Sequence, residues 1–287
     1  MGGKSVCWMD GKIVPGDEAK VSVFDHGLLY GDGVFEGIRF YRRRIFKLGE
    51  HLDRLFGSAR AIALDAGRTH DEIRTAVEKT VAAFPGEDGY LRLVVTRGKG
   101  PLGIDPKKCP KPSLFIIADE LAMVSREARE RGARVIIAST RQAPSDVLDP
   151  RIKSLNYLNR ILARIEANRA GADEALLLNA QGRVAEGTAD NVFIVRNGRV
   201  LTPPAVEGAL EGITRSVALE LAGKAGIPAA ETALAPYDIY TSDECFLTGT
   251  GAELIPVAQV DGRQLAACPG PVFLELSKRF MALVTQG

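Results

Sequence analysis

A chain of 287 residues is long for one compact core, so two domains of ordinary size, and a cleft with them, are expected. Lysine and arginine number 37 against 36 aspartate and glutamate, which leaves no net charge to draw a polyanion or an anionic membrane surface, and nucleic acid is not an expected partner. Cys7, Cys109, Cys245 and Cys268 form no C-x-x-C pair, no apolar run reaches membrane-spanning length, and Met1 to Val14 holds no apolar signal region, so the expectation is a cytoplasmic protein with no membrane segment.

The opening reads as a hairpin, with Val6, Trp8 and Ile13, Val14 flanking Asp10 and Gly11, a pair that accepts the positive φ angles of a tight turn. From Glu50 to Leu64 the apolar residues Leu52, Leu55, Phe56, Ala59 and Ile62 recur at helical spacing, and Arg54 lies off that stripe. A second helix starts after Thr69, with Glu72 completing a capping box, and stops at Pro85 and Gly86. Tyr90 to Thr96 alternates as a strand, with Leu91, Leu93 and Val95 on one face and Tyr90, Arg92 and Val94 on the other. Gly98, Gly100 and Gly103 match G-x-G-x-x-G after that strand. Pro101, Pro106, Pro110 and Pro112 deny the helix that a dinucleotide site needs, so the stretch reads as a mobile glycine loop at a cleft rim.

Ser113 to Ala118 is a further strand, and the charged stretch that follows is read as the connection between domains. The expected division is 1–119, 120–131 and 132–287, the last being the larger. Val135 to Ala138 resumes a sheet, and Asn156 to Arg169 is a helix with Leu158, Ile161, Leu162 and Ile165 on one face. Strands are expected at Leu176 to Leu178, Val192 to Val195 and Val200 to Leu201, with a turn at Asn197 and Gly198. Ile213 to Lys224 reads as a helix closed by Gly226, a hairpin turns at Asp261 and Gly262, and a helix from Val272 ends the chain. Hairpins mixed with helices suggest α+β lobes more than a doubly wound parallel sheet. His26, His51 and His70 show no ligand spacing, and no metal is assigned.

Lys153 stands just ahead of the Asn156 helix, in a segment apolar enough to be partly buried. Burial lowers an amine's proton affinity, which Schiff-base chemistry needs. Further along, Glu186-Gly187-Thr188-Ala189-Asp190-Asn191-Val192-Phe193, then Val200-Leu201-Thr202, then Leu210-Glu211-Gly212-Ile213-Thr214-Arg215 resembles the signature of class IV aminotransferases. Val21 to Arg39, with Asp25-His26-Gly27, Tyr30-Gly31-Asp32-Gly33 and Phe35-Glu36-Gly37-Ile38-Arg39, resembles the branched-chain amino acid aminotransferases in particular.

That resemblance spans about Asp10 to Leu283. It implies a two-domain fold of type IV, with a small N-terminal α/β domain, a larger pseudo-barrel domain, and pyridoxal 5′-phosphate between them in a homodimer or larger assembly whose sites are shared across the interface. Lys153 matches the lysine that holds the cofactor and then shuttles a proton between the substrate Cα and the cofactor's C4′. Glu186 matches the carboxylate facing the pyridine nitrogen. Arg54, Ile213, Thr214 and Thr250 match phosphate ligands, and Tyr157 matches a tyrosine beside the phenolic oxygen. For substrate, the resemblance implies Tyr90 and Arg92 for a side-chain carboxylate and the turn Gly249, Thr250, Gly251 for the α-carboxylate. It implies an apolar wall from Phe35, with Tyr30 and Leu102 reaching in from a neighbouring subunit and Arg39 near the pocket.

The activity so implied is transfer of amino groups between branched-chain L-amino acids and 2-oxoglutarate, alternating pyridoxal and pyridoxamine forms of the cofactor. Lys153-Ser154-Leu155-Asn156 also resembles D-amino-acid aminotransferases, but the loop Gly98 to Cys109 lacks the histidine of their Arg-x-His carboxylate trap. An aminodeoxychorismate-type lyase would share the cofactor site. The Tyr90 and Arg92 pair argues against it, and retention of Lys153 and Glu186 argues against a noncatalytic scaffold.

Overall fold

The computed structural model describes residues 5–121 and 126–286. The chain divides into two compact units, Met1–Leu121 with Ile152–Asn156, and Ala122–Arg151 with Tyr157–Gly287. Both combine sheet and helix, and the fold is α+β. Among the described residues no helix is long and apolar enough to cross a membrane.

The first unit is built on a six-stranded antiparallel sheet in the order Lys12–Pro15, Val6–Met9, Ser113–Asp119, Gly89–Thr96, Gly33–Tyr41, Arg44–Ile45. The hairpin expected at Asp10 and Gly11 is present, with both residues at positive φ. Strand alternation sends Val34, Ile38, Phe40, Leu91, Leu93 and Val95 to one face, where the helices Leu48–Ala61 and His70–Ala83 cover them with Leu52, Leu55, Ile73 and Val77. Thr69 and Glu72 form the expected capping box. The opposite face carries Phe35, Gly37, Arg39, Tyr90 and Arg92, in the register Phe35 to Val94, Gly37 to Arg92 and Arg39 to Tyr90.

No α-helix opens at Gly98, and the stretch before Ser113 holds only a short 3-10 turn at Pro106–Lys108. The glycine run is a loop tied down by His26, whose Nε2 lies 3.0 Å from the Pro101 carbonyl oxygen, and by the Gly103 amide, which donates to the Tyr30 hydroxyl at 3.0 Å.

The second unit holds a nine-stranded mixed sheet: Ala229–Glu231, Arg199–Thr202, Asn191–Arg196, Glu244–Gly249, Glu253–Val260, Ala133–Ile137, Glu174–Leu178, Val184–Gly187, with Arg263–Gln264 beside Glu253–Val260. Its parallel pairs are those of Ala133–Ile137 with both neighbours and of Arg199–Thr202 with Ala229–Glu231. The expected turns at Asn197, Gly198 and at Asp261, Gly262 both have positive φ. Val192, Ile194, Leu247 and Ile255 build a core on one face. On the other, Phe193 stacks on Phe246 at 5.0 Å, and Phe246 meets Phe273 of the helix Pro271–Gln286.

One expectation changes. The helix after Lys153 begins at Leu158, with Tyr157 as its N-cap residue. Its stripe of Leu158, Ile161, Leu162 and Ile165 is exposed, and the buried contacts against Glu174–Leu178 come from Ala163 and Ala167. The small residues let the helix lie close to the sheet and turn the larger side chains outward. Of the connection expected over 120–131, residues 122–125 lie outside the described residues, while Arg126–Arg131 forms a short helix.

Candidate functional site

Lys153 belongs to the first unit, although the chain on either side of its segment belongs to the second. Its backbone is held from two directions. The Phe35 amide donates to the Lys153 carbonyl at 3.0 Å, and the Lys153 amide donates to the Ser58 hydroxyl at 3.1 Å. Ser154 bridges to Val34, and the Leu155 amide donates to the Gly33 carbonyl at 2.9 Å, so the segment runs as a short extra strand beside Gly33–Tyr41. This pins the half-buried side chain, whose Nζ sits 4.8 Å from the Phe35 ring centre.

Beneath it lies a polar cluster inside an apolar core. Glu36 takes the core-facing position between Val34 and Ile38 and is fully buried. Its carboxylate accepts two bonds from Arg54, Nε at 2.7 Å and Nη2 at 2.8 Å, and its Oε2 lies 2.7 Å from His51 Nδ1. His51, Arg54 and Ser58 are spaced at three and four on one face of the helix, so one surface presents all three. Burial alone would push the Glu36 carboxyl up, but Arg54 and His51 overcome it and hold it at about 2. Burial also holds His51 below its ordinary value, against the pull of Glu36. Two-point attachment to a buried carboxylate fixes the plane of the Arg54 guanidinium, which is the geometry an arginine needs to recognise a phosphate.

On the other face of the sheet, Arg92 lies over the Phe35 ring at 4.5 Å and donates from Nη2 to the Tyr90 hydroxyl at 3.2 Å. A side chain at Gly37 would strike that hydroxyl, so the glycine makes room for it. Arg39 is one alternation further along, over Tyr41 at 5.2 Å. Tyr30 and Leu102, expected to serve a neighbouring subunit, are both exposed, at 39% and 72%. Phe35, Tyr90, Arg92 and Lys153 are thus brought together, Arg54 is next to the backbone anchor of Lys153, and Tyr30 and Leu102 are grouped by the glycine loop.

In the second unit the buried Glu186 is the next-to-last residue of the strand Val184–Gly187. Its Oε1 receives Arg160 Nη2 at 2.5 Å and Gln142 Nε2 at 3.4 Å, and its Oε2 receives Asn191 Nδ2 at 3.2 Å and the Leu210 amide at 3.1 Å. Asn191 also donates to the Leu210 carbonyl at 3.0 Å, and a side chain at Gly212 would collide with its amide oxygen. Gly212 is the N-cap of the helix Ile213–Lys224, and no side chain caps that helix. Its first-turn amides, with Ile213 and Thr214, therefore form a positive end suited to an anion. Asn191 pairs in register with Thr248, which brings the turn Gly249, Thr250, Gly251 to the same end of the sheet. The buried Thr248 hydroxyl has no hydrogen-bond partner among the described residues. Tyr157 sits under the Arg160 guanidinium, 5.2 Å from Cζ to ring centre.

Sequence reading missed Glu36, His51, Ser58 and Arg160. A charged residue at a core position of an alternating strand was the available signal for Glu36, and helical spacing from Tyr157 was the signal for Arg160. Ser58 acts through backbone contacts and leaves no pattern.

The sequence model of the family described as amino-transferase class IV matches residues 33–260. A protein of Methanocaldococcus jannaschii to which branched-chain-amino-acid aminotransferase activity is ascribed is 52% identical over 256 residues, 89% of this chain and 88% of its own length. The branched-chain aminotransferase of Thermoproteus uzoniensis, crystallised with norvaline, is 37% identical with a TM-score of 0.91, covering 98% of this chain and 95% of its own. The T.th. branched-chain amino acid aminotransferase, complexed with N-(5′-phosphopyridoxyl)-L-glutamate, is 36% identical with a TM-score of 0.92, covering 100% of this chain and 96% of its own.

Proposed function

The chain belongs to the class IV aminotransferases, and from that premise we propose that it moves amino groups between branched-chain L-amino acids and 2-oxoglutarate with pyridoxal 5′-phosphate as cofactor. The observation that carries the proposal is the amine of Lys153, fixed by backbone bonds to Phe35 and Ser58 within a protein that also carries the buried carboxylate of Glu186. The donor set fits the cofactor. An uncapped helix start at Gly212 and the clamped guanidinium of Arg54 suit its phosphate, Glu186 suits a basic ring nitrogen, and the Thr248 hydroxyl, without a partner among the described residues, directly precedes the glycine turn.

When bound, pyridoxal phosphate supplies a carbonyl that takes up the amino group and a ring that draws off electrons from the substrate Cα. Lys153 would hold the cofactor through its amine and, when an incoming amino acid frees that amine, Nζ would be the base that takes the proton from the substrate Cα and gives it back on the cofactor side. Glu186 would face the ring nitrogen and accept a hydrogen bond from it. Ile213, Thr214, Thr250 and Arg54 would hold the phosphate, and the Tyr157 hydroxyl would orient the phenolic oxygen. The Thr250 and Gly251 amides in the turn from Gly249 receive the α-carboxylate. Arg92 and Tyr90 receive the second carboxylate of glutamate, while Phe35 gives leucine, isoleucine and valine an apolar wall, with Arg39 near it. Tyr30 and Leu102 complete that wall from a second copy of the chain, which makes the working form a homodimer or larger. The structure of a relative with norvaline and another with a glutamate adduct support a pocket that takes both kinds of side chain. The cysteines, all free, and the balanced charge suit a cytoplasmic enzyme acting on small acids, with no nucleic acid or membrane partner.

The test is incubation of the purified protein with pyridoxal phosphate, 2-oxoglutarate and a panel of L- and D-amino acids. Glutamate is expected from L-leucine, L-isoleucine and L-valine, and Lys153→Ala is expected to lose both turnover and the cofactor's visible absorption band. A preference for D-donors, or no glutamate from any donor, would refute the proposal.

A further inference from the structure

Arg160 lies seven residues after Lys153 and three after Tyr157, outside the set of residues assigned to cofactor or substrate. Its side chain is 12% exposed and that of Glu186 is 3% exposed. One nitrogen, Nη2, meets Glu186 Oε1 at 2.5 Å, while Nη1 reaches the carbonyls of Gly187 and Thr188, both at 3.4 Å. The face of the guanidinium covers the Tyr157 ring. Among the described residues four groups donate to Glu186, and of these Arg160 is the cation, the others being an asparagine, a glutamine and a backbone amide. Glu174 also acts on Arg160 and is itself engaged by Arg164 and by Thr188.

A carboxylate cut off from water stays ionised only if a counter-charge or several donors replace its hydration. A shared proton rests on a ring nitrogen only while the carboxylate opposite remains an anion. We infer that Arg160 is a positioning residue for Glu186: it is the counter-cation that fixes the plane of this carboxylate and keeps it charged, so that the proton between Glu186 and the cofactor ring stays on the nitrogen. Arg160 itself is suited to the task. Burial pushes its pKa down, but Glu186 and Tyr157 outweigh that and leave it above the ordinary arginine value, so the cation is permanent. By covering Tyr157, the same guanidinium also fixes the second residue proposed to touch the ring.

The inference rests on the reading of Glu186 given above, and the experiment separates the two. Pyridoxal 5′-phosphate labelled with ¹⁵N in the ring is bound to the wild type and to R160Q, R160K, E186Q and R160Q/E186Q. The ¹⁵N resonance and the cofactor dissociation constant are then read. R160Q is expected to move the resonance toward the unprotonated position and weaken binding roughly tenfold, as loss of a bond to a charged group does. R160K, which keeps the charge without the planar fork, is expected to fall between, and it carries the test if R160Q does not fold. In the E186Q background R160Q is expected to add nothing, since both act through one carboxylate. A wild-type resonance in R160Q and R160K, or an equal change with and without Glu186, would overturn the role of Arg160. A wild-type resonance in E186Q alone would overturn the reading of Glu186 and take this inference with it.

Discussion

Arg92 is held by the Phe35 ring beneath it and by the Tyr90 hydroxyl beside it, yet its buried Nε has no hydrogen-bond partner among the described residues. A buried donor left in that state costs free energy that an incoming carboxylate would recover. Arg92→Ala is therefore expected to lower kcat/KM for glutamate by roughly 10- to 100-fold while changing that for leucine only a few-fold, measured in half-reactions with each donor. Equal losses would move Arg92 to the α-carboxylate or to the fold. This pairing was legible in the sequence, because strand alternation alone puts Tyr90 and Arg92 on one face. Glu36 was not, because its partners His51 and Arg54 are 15 and 18 residues away and strand periodicity names a face without naming what packs on it.

The strand Gly33–Tyr41 and the helix Leu48–Ala61 are joined through that buried cluster, and their stability should follow pH. Glu36 has its carboxyl lowered from 4.5 to about 2. A lowered folded-state value means the stabilisation is complete above about 4.5 and is lost as pH falls toward 2, a difference on the order of 3 kcal/mol. His51, also lowered, acts in the same direction, since a neutral buried imidazole must be charged in acid. Urea unfolding midpoints at pH 5 and pH 3 check this. The wild type is expected to lose more on acidification than Glu36→Gln, and identical losses would assign the acid sensitivity elsewhere. Local pattern also located the helix after Lys153 without saying which way it faces. Its large apolar residues carry the periodicity, but two alanines decide the packing.

For the whole molecule, hairpins mixed with helices made the α+β class readable, since turn pairs such as Asp10 and Gly11, Asn197 and Gly198, and Asp261 and Gly262 mark strand ends. What could not be read was the allegiance of Ile152–Asn156, which is settled by Ser58, Phe35 and Gly33, all far away in the chain. Exposed apolar side chains occur in each unit, Leu28, Leu102 and Ile104 in the first, Leu158 and Ile161 in the second, and the assembly proposed above would cover surface of this kind. Sedimentation equilibrium is expected to show two or more chains per particle, and Leu102→Asp is expected to lower that mass together with turnover. A wild-type monomer at micromolar concentration would remove the shared pocket wall from the proposal.

The route of the backbone has a consequence for dissection of the gene. It passes from one unit to the other after Leu121, after Arg151 and after Asn156, so neither unit is a continuous stretch of polypeptide. A fragment ending at Leu121 would leave behind the lysine and the strand-like rung on which it is mounted, and a fragment beginning after it would carry five residues with nothing to dock against. Splitting, swapping or permuting this protein therefore has to treat Ile152–Asn156 as an insertion belonging to the opposite half.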